Sequence, residues 1–170
     1  FVLSCGHSSL TLYIQLYLSG YGLEMDDLRR TRTFGSRTPG HPEHGVTPGV
    51  ETSTGPLGQG LGHAVGMAMA ARRVRALLDP DAAPDQSPFD VRVWCLASDG
   101  DLQEGVSHEV AALAGRQRLD RLVVLWDDNR ISIEGDTDLA TAEDTAARFA
   151  AYGWRVLEIA DAEDAEQGLR

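Results

Sequence analysis

The strongest constraint on the fold is the rhythm of the second half of the chain. Residues 91–97 form a short apolar run with β-branched and aromatic members, which predicts a strand. Residues 104–119 predict a helix, and residues 122–126 a second strand. Residues 141–152 predict a second helix, opened by the cap-like Thr141-Ala142-Glu143-Asp144. Residues 154–159 predict a third strand. Strands alternating with helices require crossover connections and therefore parallel pairing. The predicted fold class is α/β, an open, mostly parallel sheet flanked by helices.

The first half is richer in Gly, Pro, His and Thr. Residues 9–19 alternate apolar and polar positions, but their length and the Gly20-Tyr21-Gly22 stop favour a helix over a strand. Asp26-Asp27-Leu28-Arg29-Arg30 begins a short polar helix. Residues 35–56 are punctuated by Pro39, Gly40, Pro42, Gly45, Pro48, Gly49, Gly55 and Pro56, and predict a long loop. Loops of that length in compact domains are functional or disordered, and the His, Glu and Thr content here favours function. Residues 57–78 predict a helix whose glycines and alanines permit close backbone packing. Glycine weakens a helix by about 1 kcal/mol against alanine, so tertiary contacts must hold this one. Residues 79–90 predict a polar, Pro-rich surface loop. No internal repeat is present.

Composition removes several classes. With 42% hydrophobic residues the chain is not of the disordered type. A formal charge of −11 argues against a nucleic-acid partner, which would need a basic face. It leaves room for a phosphate-bearing ligand, since a bound Mg²⁺ inverts the local sign. Cys5 and Cys95 stand far apart in no metal-like spacing, which argues against a disulfide scaffold or zinc site and suits a reducing, cytoplasmic setting. No apolar run has the length of a membrane span, and no signal peptide is visible. The chain opens on Phe1 without an initiator Met and is read as a piece of a longer protein.

The chemistry concentrates in two turns. Ser98-Asp99-Gly100-Asp101 and Asp127-Asp128-Asn129-Arg130-Ile131 each follow a predicted parallel strand directly. Open α/β sheets bind ligands at the carboxyl ends of their strands. Asp99 offers a carboxylate, Asn129 an amide oxygen and Ile131 a main-chain carbonyl to one hard cation, and Mg²⁺ takes a few such oxygens together with a diphosphate. Gly100 would let the backbone approach that diphosphate. Taken alone, the same residues also suit two ordinary turns rich in Asp and Asn. Other motifs fail on inspection. The segment from Asp99 lacks the sixth-position glycine of an EF-hand. Gly55-Pro56-Leu57-Gly58-Gln59-Gly60 is followed by Leu61 and Gly62, not by the Lys and Ser/Thr of a P-loop, and Gly58-Gln59-Gly60-Leu61-Gly62 misses the dinucleotide spacing. His108-Glu109 has no second His four residues after the first.

Three segments of the first half are more specific: Leu3-Ser4-Cys5-Gly6-His7, Thr38-Pro39-Gly40-His41-Pro42-Glu43, and the run from Gly49 through Val50-Glu51-Thr52-Ser53-Thr54-Gly55-Pro56-Leu57-Gly58-Gln59-Gly60. Followed in order by Ser98-Asp99-Gly100, Glu104-Gly105, Asp127-Asp128-Asn129, Ile131-Ser132-Ile133 and Tyr152-Gly153-Trp154, they resemble the transketolase family closely. The resemblance runs from residue 1 to at least 159. It implies the following, position by position. His7 contacts thiamine diphosphate and belongs to the reaction centre. His41 binds substrate hydroxyls near the bond being broken. Gly55, Pro56 and Leu57 line the thiamine site. Asp99, Asn129 and the carbonyl of Ile131 hold Mg²⁺, for which Ca²⁺ or Mn²⁺ can substitute, while Gly100 and Asn129 touch the diphosphate. Glu104 joins a proton-sharing carboxylate network between the active sites of a homodimer. Histidine suits proton transfer near neutrality. His44, His63 and His108 are read as ordinary hydrogen-bonded residues.

The implied activity is transfer of a two-carbon ketol unit between sugar phosphates, as in the pentose phosphate pathway. The closest alternatives are another ketol transferase, such as dihydroxyacetone synthase or deoxyxylulose-phosphate synthase, and a non-catalytic cofactor-binding subunit. The Thr-Pro-Gly-His-Pro-Glu segment disfavours the synthase that makes deoxyxylulose phosphate. The resemblance further implies that residues 1–170 are part of a diphosphate-binding domain. The pyrimidine domain, of the same or a partner chain, and the C-terminal domain lie outside it, so this piece by itself would be inactive. Three positions depart from the family: Cys5 stands for a common Asn, Ser98 for the usual first Gly of Gly-Asp-Gly, and Asp101 for a frequent Cys. Asp101 is left with two readings, a solvent-facing charge or an added charge at the metal.

Overall fold

The computed structural model describes residues 1–159. Strand β1 is Val2–Leu3, followed by a 3-10 turn at Gly6–Ser8 and helices α1 (Ser9–Leu18) and α2 (Met25–Arg29). After the long loop come α3 (Gln59–Leu78), β2 (Val93–Ser98), the short α4 (Asp99–Gln103), α5 (Gly105–Gln117) and β3 (Leu122–Asp127). A two-residue hairpin, β4 (Ile131–Ser132) and β5 (Gly135–Asp136), then precedes α6 (Thr145–Ala151). The sheet has the order β1-β2-β3 and is parallel throughout, with Val2 opposite Cys95 and Ser98 opposite Asp127.

The core lies between this sheet and the helices. Val2, Leu61, Val65, Cys95, Ala97, Ala111 and Phe149 are all buried in one cluster. A second cluster around Tyr13, Leu12, Leu16 and Leu23 anchors α1 against the loop before α3. The small residues of α3 do the packing expected of them. A Cβ at Gly60 would stand 2.4 Å from Cα of Ser4, so only glycine lets the first turn of α3 lie directly on the tip of β1.

Three boundaries differ from expectation. Residues 154–159 form no strand. The indole Nε1 of Trp154 donates to the Ala111 carbonyl at 2.9 Å and its ring meets Phe149 edge-on at 5.3 Å, so the chain is anchored on α5 instead of running beside β3. The third strand of the sheet is instead Val2–Leu3, which is too short to show any period. Helix α6 starts at Thr145, not 141: the Thr141 hydroxyl accepts from the Glu143 N–H in a local turn, and Asp144 is the true cap, accepting from Ala147 N at 2.8 Å. Strand β2 begins at Val93 instead of 91. The turn expected at 98–101 opens the short helix α4, and the turn expected at 127–131 leads into the β4-β5 hairpin. Among the described residues no helix is long and apolar enough to cross a membrane.

Candidate functional site

The site forms at the carboxyl end of β2 and β3, where the in-register pairing of Ser98 with Asp127 puts the two Asp-rich turns side by side. Asp99 opens α4 and is only 7% exposed. Its Oδ1 accepts from Trp126 Nε1 at 3.1 Å and its Oδ2 from the Arg130 N–H at 3.0 Å, so the second turn is tied to the first through this carboxylate. Burial pushes the Asp99 carboxyl above its ordinary value, against the lowering effect of the Trp126 hydrogen bond. Asn129 follows, exposed: its amide oxygen accepts from Ile131 N and its amide nitrogen donates to Asp127, both at 3.0 Å. Asp99 and Asn129 thus belong to adjoining turns, although their side chains bond to different partners. Ile131 is 60% exposed and pairs with Asp136 in the hairpin.

The donor set suits a hard cation. It offers one carboxylate, one amide oxygen and one carbonyl, and each Asp99 oxygen keeps a lone pair beyond the N–H it accepts. Among the described residues no group of three or more His, Cys, Asp or Glu side chains is gathered as for a metal. Gly100 adjoins the loop before α3: a Cβ there would meet Leu57 Cδ1 at 3.0 Å and Ser132 Oγ at 3.7 Å.

The remaining candidates lie on or beside the loop that leads into α3, which reaches the first turn at Gly100 through Leu57. His41, exposed, lies against Gly55, where a Cβ would be 3.6 Å from its ring. His7, exposed in the 3-10 turn, is placed by its neighbour Gly6, whose missing Cβ would lie 2.9 Å from Thr54 Oγ1. Thr54 Oγ1 itself donates to the Leu3 carbonyl at 2.7 Å. Pro56 and Leu57 form the turn into α3. Glu104, exposed at the junction of α4 and α5, packs its Cβ against Gly58: a Cβ at Gly58 would stand 2.9 Å from it and 2.8 Å from Val106. Gly58 also has φ 77°, so both conformation and space demand glycine.

Sequence reasoning missed several contributors. Arg32 donates to the His7 carbonyl at 2.8 Å, Trp126 orients Asp99, and Arg148 reaches from α6 to the Leu102 carbonyl at 2.7 Å. None carries a local signal, because each acts across more than twenty residues. Asp101 is not the solvent-facing charge of the first reading: it is fully buried, and its carboxylate accepts from Ser4, Gly58 and Ser98. His44 and His63 are hydrogen-bonded, to the Val50 carbonyl and the Thr52 hydroxyl, as ordinary residues would be. A cavity of about 480 Å³ between α1 and residues 44–51 contains none of the candidate residues.

Residues 1–169 match the family model described as "Transketolase, thiamine diphosphate binding domain". The transketolase of Mycobacterium tuberculosis is 62% identical over 164 residues, covering 96% of this chain and 23% of that protein. The Geobacillus stearothermophilus transketolase is 50% identical over 167 residues, covering 98% of this chain and 25% of the relative. The chain thus spans about a quarter of the length of the curated relatives it matches. Among solved structures, the transketolase of Leishmania mexicana superimposes with a TM-score of 0.93 at 44% identity, covering all of this chain and 25% of that one. The Pichia stipitis transketolase in complex with sedoheptulose 7-phosphate gives 0.89 at 45% identity, covering 97% of this chain and 24% of that one.

Proposed function

Since this chain belongs to the transketolase family, in its thiamine-diphosphate-binding domain, we propose that it forms the diphosphate-holding half of an enzyme moving two-carbon ketol units between sugar phosphates. The observation that carries this is the junction of the two strand tips, where Asp99 accepts the main-chain N–H of Arg130 beside Asn129 and Ile131. Asp99, the Asn129 amide oxygen and the Ile131 carbonyl would hold Mg²⁺, with Ca²⁺ or Mn²⁺ as substitutes. Gly100 and Asn129 would contact the diphosphate, and Gly55, Pro56 and Leu57 the thiamine. When bound, thiamine diphosphate supplies the electron sink for making and breaking the carbon–carbon bond.

The chain's own residues position and shuttle protons around it. His7 would contact the cofactor at the reaction centre. His41, against Gly55, would orient the hydroxyls of the sugar. Glu104 would share a proton with carboxylates of a second subunit in a homodimer. A pyrimidine domain, from the same or a partner chain, would complete the site, and the setting would be the cytoplasmic pentose phosphate pathway.

The test supplies the full-length natural protein with thiamine diphosphate and Mg²⁺ and assays ketol transfer from xylulose 5-phosphate to ribose 5-phosphate. Turnover dependent on both additions is expected. No turnover by a folded, full-length dimer would reject the reading.

A further inference from the structure

Building on the transketolase reading above, we infer that Asp101 is a positioning residue for the cofactor site: its buried carboxylate ties together the three loop tips that carry His7, the 55–57 segment and Asp99. Asp101 is 0% exposed, and among the described residues its oxygens meet only neutral donors. Oδ1 accepts from Ser4 Oγ and from the Gly58 N–H, both at 2.8 Å. Oδ2 accepts from the Ser98 N–H at 3.0 Å and from Ser98 Oγ at 3.3 Å. Ser4 Oγ in turn accepts the Leu61 N–H at 3.1 Å.

These partners stand next to the residues that matter. Ser4 leads from β1 into the turn holding His7. Gly58 follows Leu57 directly and begins α3. Ser98 precedes Asp99 and Gly100. Because Gly58 has no side chain to cap α3, the capping falls to Asp101 and Ser4, which satisfy the Gly58 and Leu61 N–H groups from outside the helix. The negative charge also faces the positive end of a 20-residue helix. On the other side, Ser98 and Asp101 form a capping box that shapes the first turn of α4, the turn bearing Asp99. The Asp101 carbonyl accepts from Ser107 Oγ, extending the same joint to α5, just beyond Glu104. A buried carboxylate without a cationic partner is costly unless its hydrogen bonds are complete. Here they are complete, and each ends at a segment of the cofactor site.

Asp101→Asn tests this nearly isosterically. The Gly58 and Ser98 N–H groups can only donate, and they face different oxygens of the carboxylate. An amide therefore satisfies one of them in either orientation and opposes the other with its own NH₂. In the full-length protein, thiamine diphosphate binding with Mg²⁺ is followed by tryptophan fluorescence, for which Trp126 beside Asp99 is a built-in reporter. Asp101→Asn is expected to weaken binding about tenfold or more, the scale of one lost charge-assisted hydrogen bond. Leu119→Ala, at the other end of the sheet in the same core, serves as the destabilised control and is expected to keep its cofactor affinity. Wild-type affinity in Asp101→Asn, or equal weakening in Leu119→Ala, would overturn the inference. If Asp101→Asn fails to fold, Ser4→Ala decides: about threefold to tenfold weaker binding supports the joint, and unchanged binding refutes it. Failure of wild type itself to bind would instead reject the transketolase reading.

Discussion

At the tip of β2, Asp99 and Asp101 are buried, and their carboxylates are gripped by residues as distant as Ser4, Gly58, Trp126 and Arg130. At the tip of β3, Asn129 is exposed and among the described residues its amide bonds only to Asp127 and Ile131, two residues away on either side. The two tips supply donors to one candidate metal site, yet the first is shaped by the whole fold and the second largely by itself. Local bonds on an exposed turn are easily exchanged for water or ligand, because the net value of each is small. Buried, long-range bonds are not. The difference suggests a division of labour in which β2 presents a fixed carboxylate and β3 adapts its oxygens to the bound ion.

The sharpest way to break this comparison is Asp99→Ala. The substitution removes the only acid of the proposed metal set and leaves two partly buried donors, Trp126 Nε1 and Arg130 N, without an acceptor. We expect Mg²⁺-dependent retention of thiamine diphosphate to fall by at least about 100-fold, roughly 3 kcal/mol, as for loss of a charged acceptor with both its donors. Titration of cofactor against the variant in the presence and absence of Mg²⁺ measures it. Wild-type affinity would remove Asp99 from the metal site.

The second effect concerns the interior on the β2 side. Burial, and then the charge of Asp101, pushes the Cys95 thiol from 9.0 to about 12 and the Cys5 thiol from 9.0 to about 11. Both folded values lie above the unfolded ones, so their contribution to stability is complete below pH about 9 and is lost as pH climbs toward 11 to 12. Between pH 8 and 10 each thiol should cost on the order of 1.4 kcal/mol of stability. Urea denaturation across that range checks the slope, and Cys95→Ala should reduce it by about half, leaving the share of Cys5. A pH-independent midpoint would show that the thiols are not held in a sealed interior, and the contrast between the two sides would weaken.

The same contrast decides how much could be read from the sequence. Strands β2 and β3 were legible because each is a short apolar run with β-branched and aromatic members that leads into an Asp-rich turn, and those turns pointed to Asp99 and Asn129 without any structure. The helical segments α1, α3 and α5 followed from length, composition and stop residues. Strand β1 was not legible, since two residues carry no alternation. The strand expected at 154–159 failed because a tertiary contact, Trp154 on the Ala111 carbonyl, overrode local propensity. Asp101 was opaque for the same reason. Its partners Ser4 and Gly58 lie 97 and 43 residues away, and nothing within its own turn announces them. The packing of His41 against Gly55 was not foreseen, since both lie in a loop with no periodicity to place them.

Asn129→Ala gives the smallest effect and the finest discrimination. Its side chain is exposed and its bonds stay within its own turn, so water can replace both partners when it is cut back to Cβ. Folding stability should stay within about 0.5 kcal/mol of wild type, the usual range for a surface change. Cofactor affinity should nevertheless fall about tenfold, because one metal oxygen and one diphosphate contact are lost together. Paired urea and cofactor titrations of the one variant separate the two quantities. A large loss of stability would mean that the tip of β3 is as firmly built as that of β2. An unchanged affinity would mean that it contributes no ligand at all, leaving Asp99 to hold the ion with other groups.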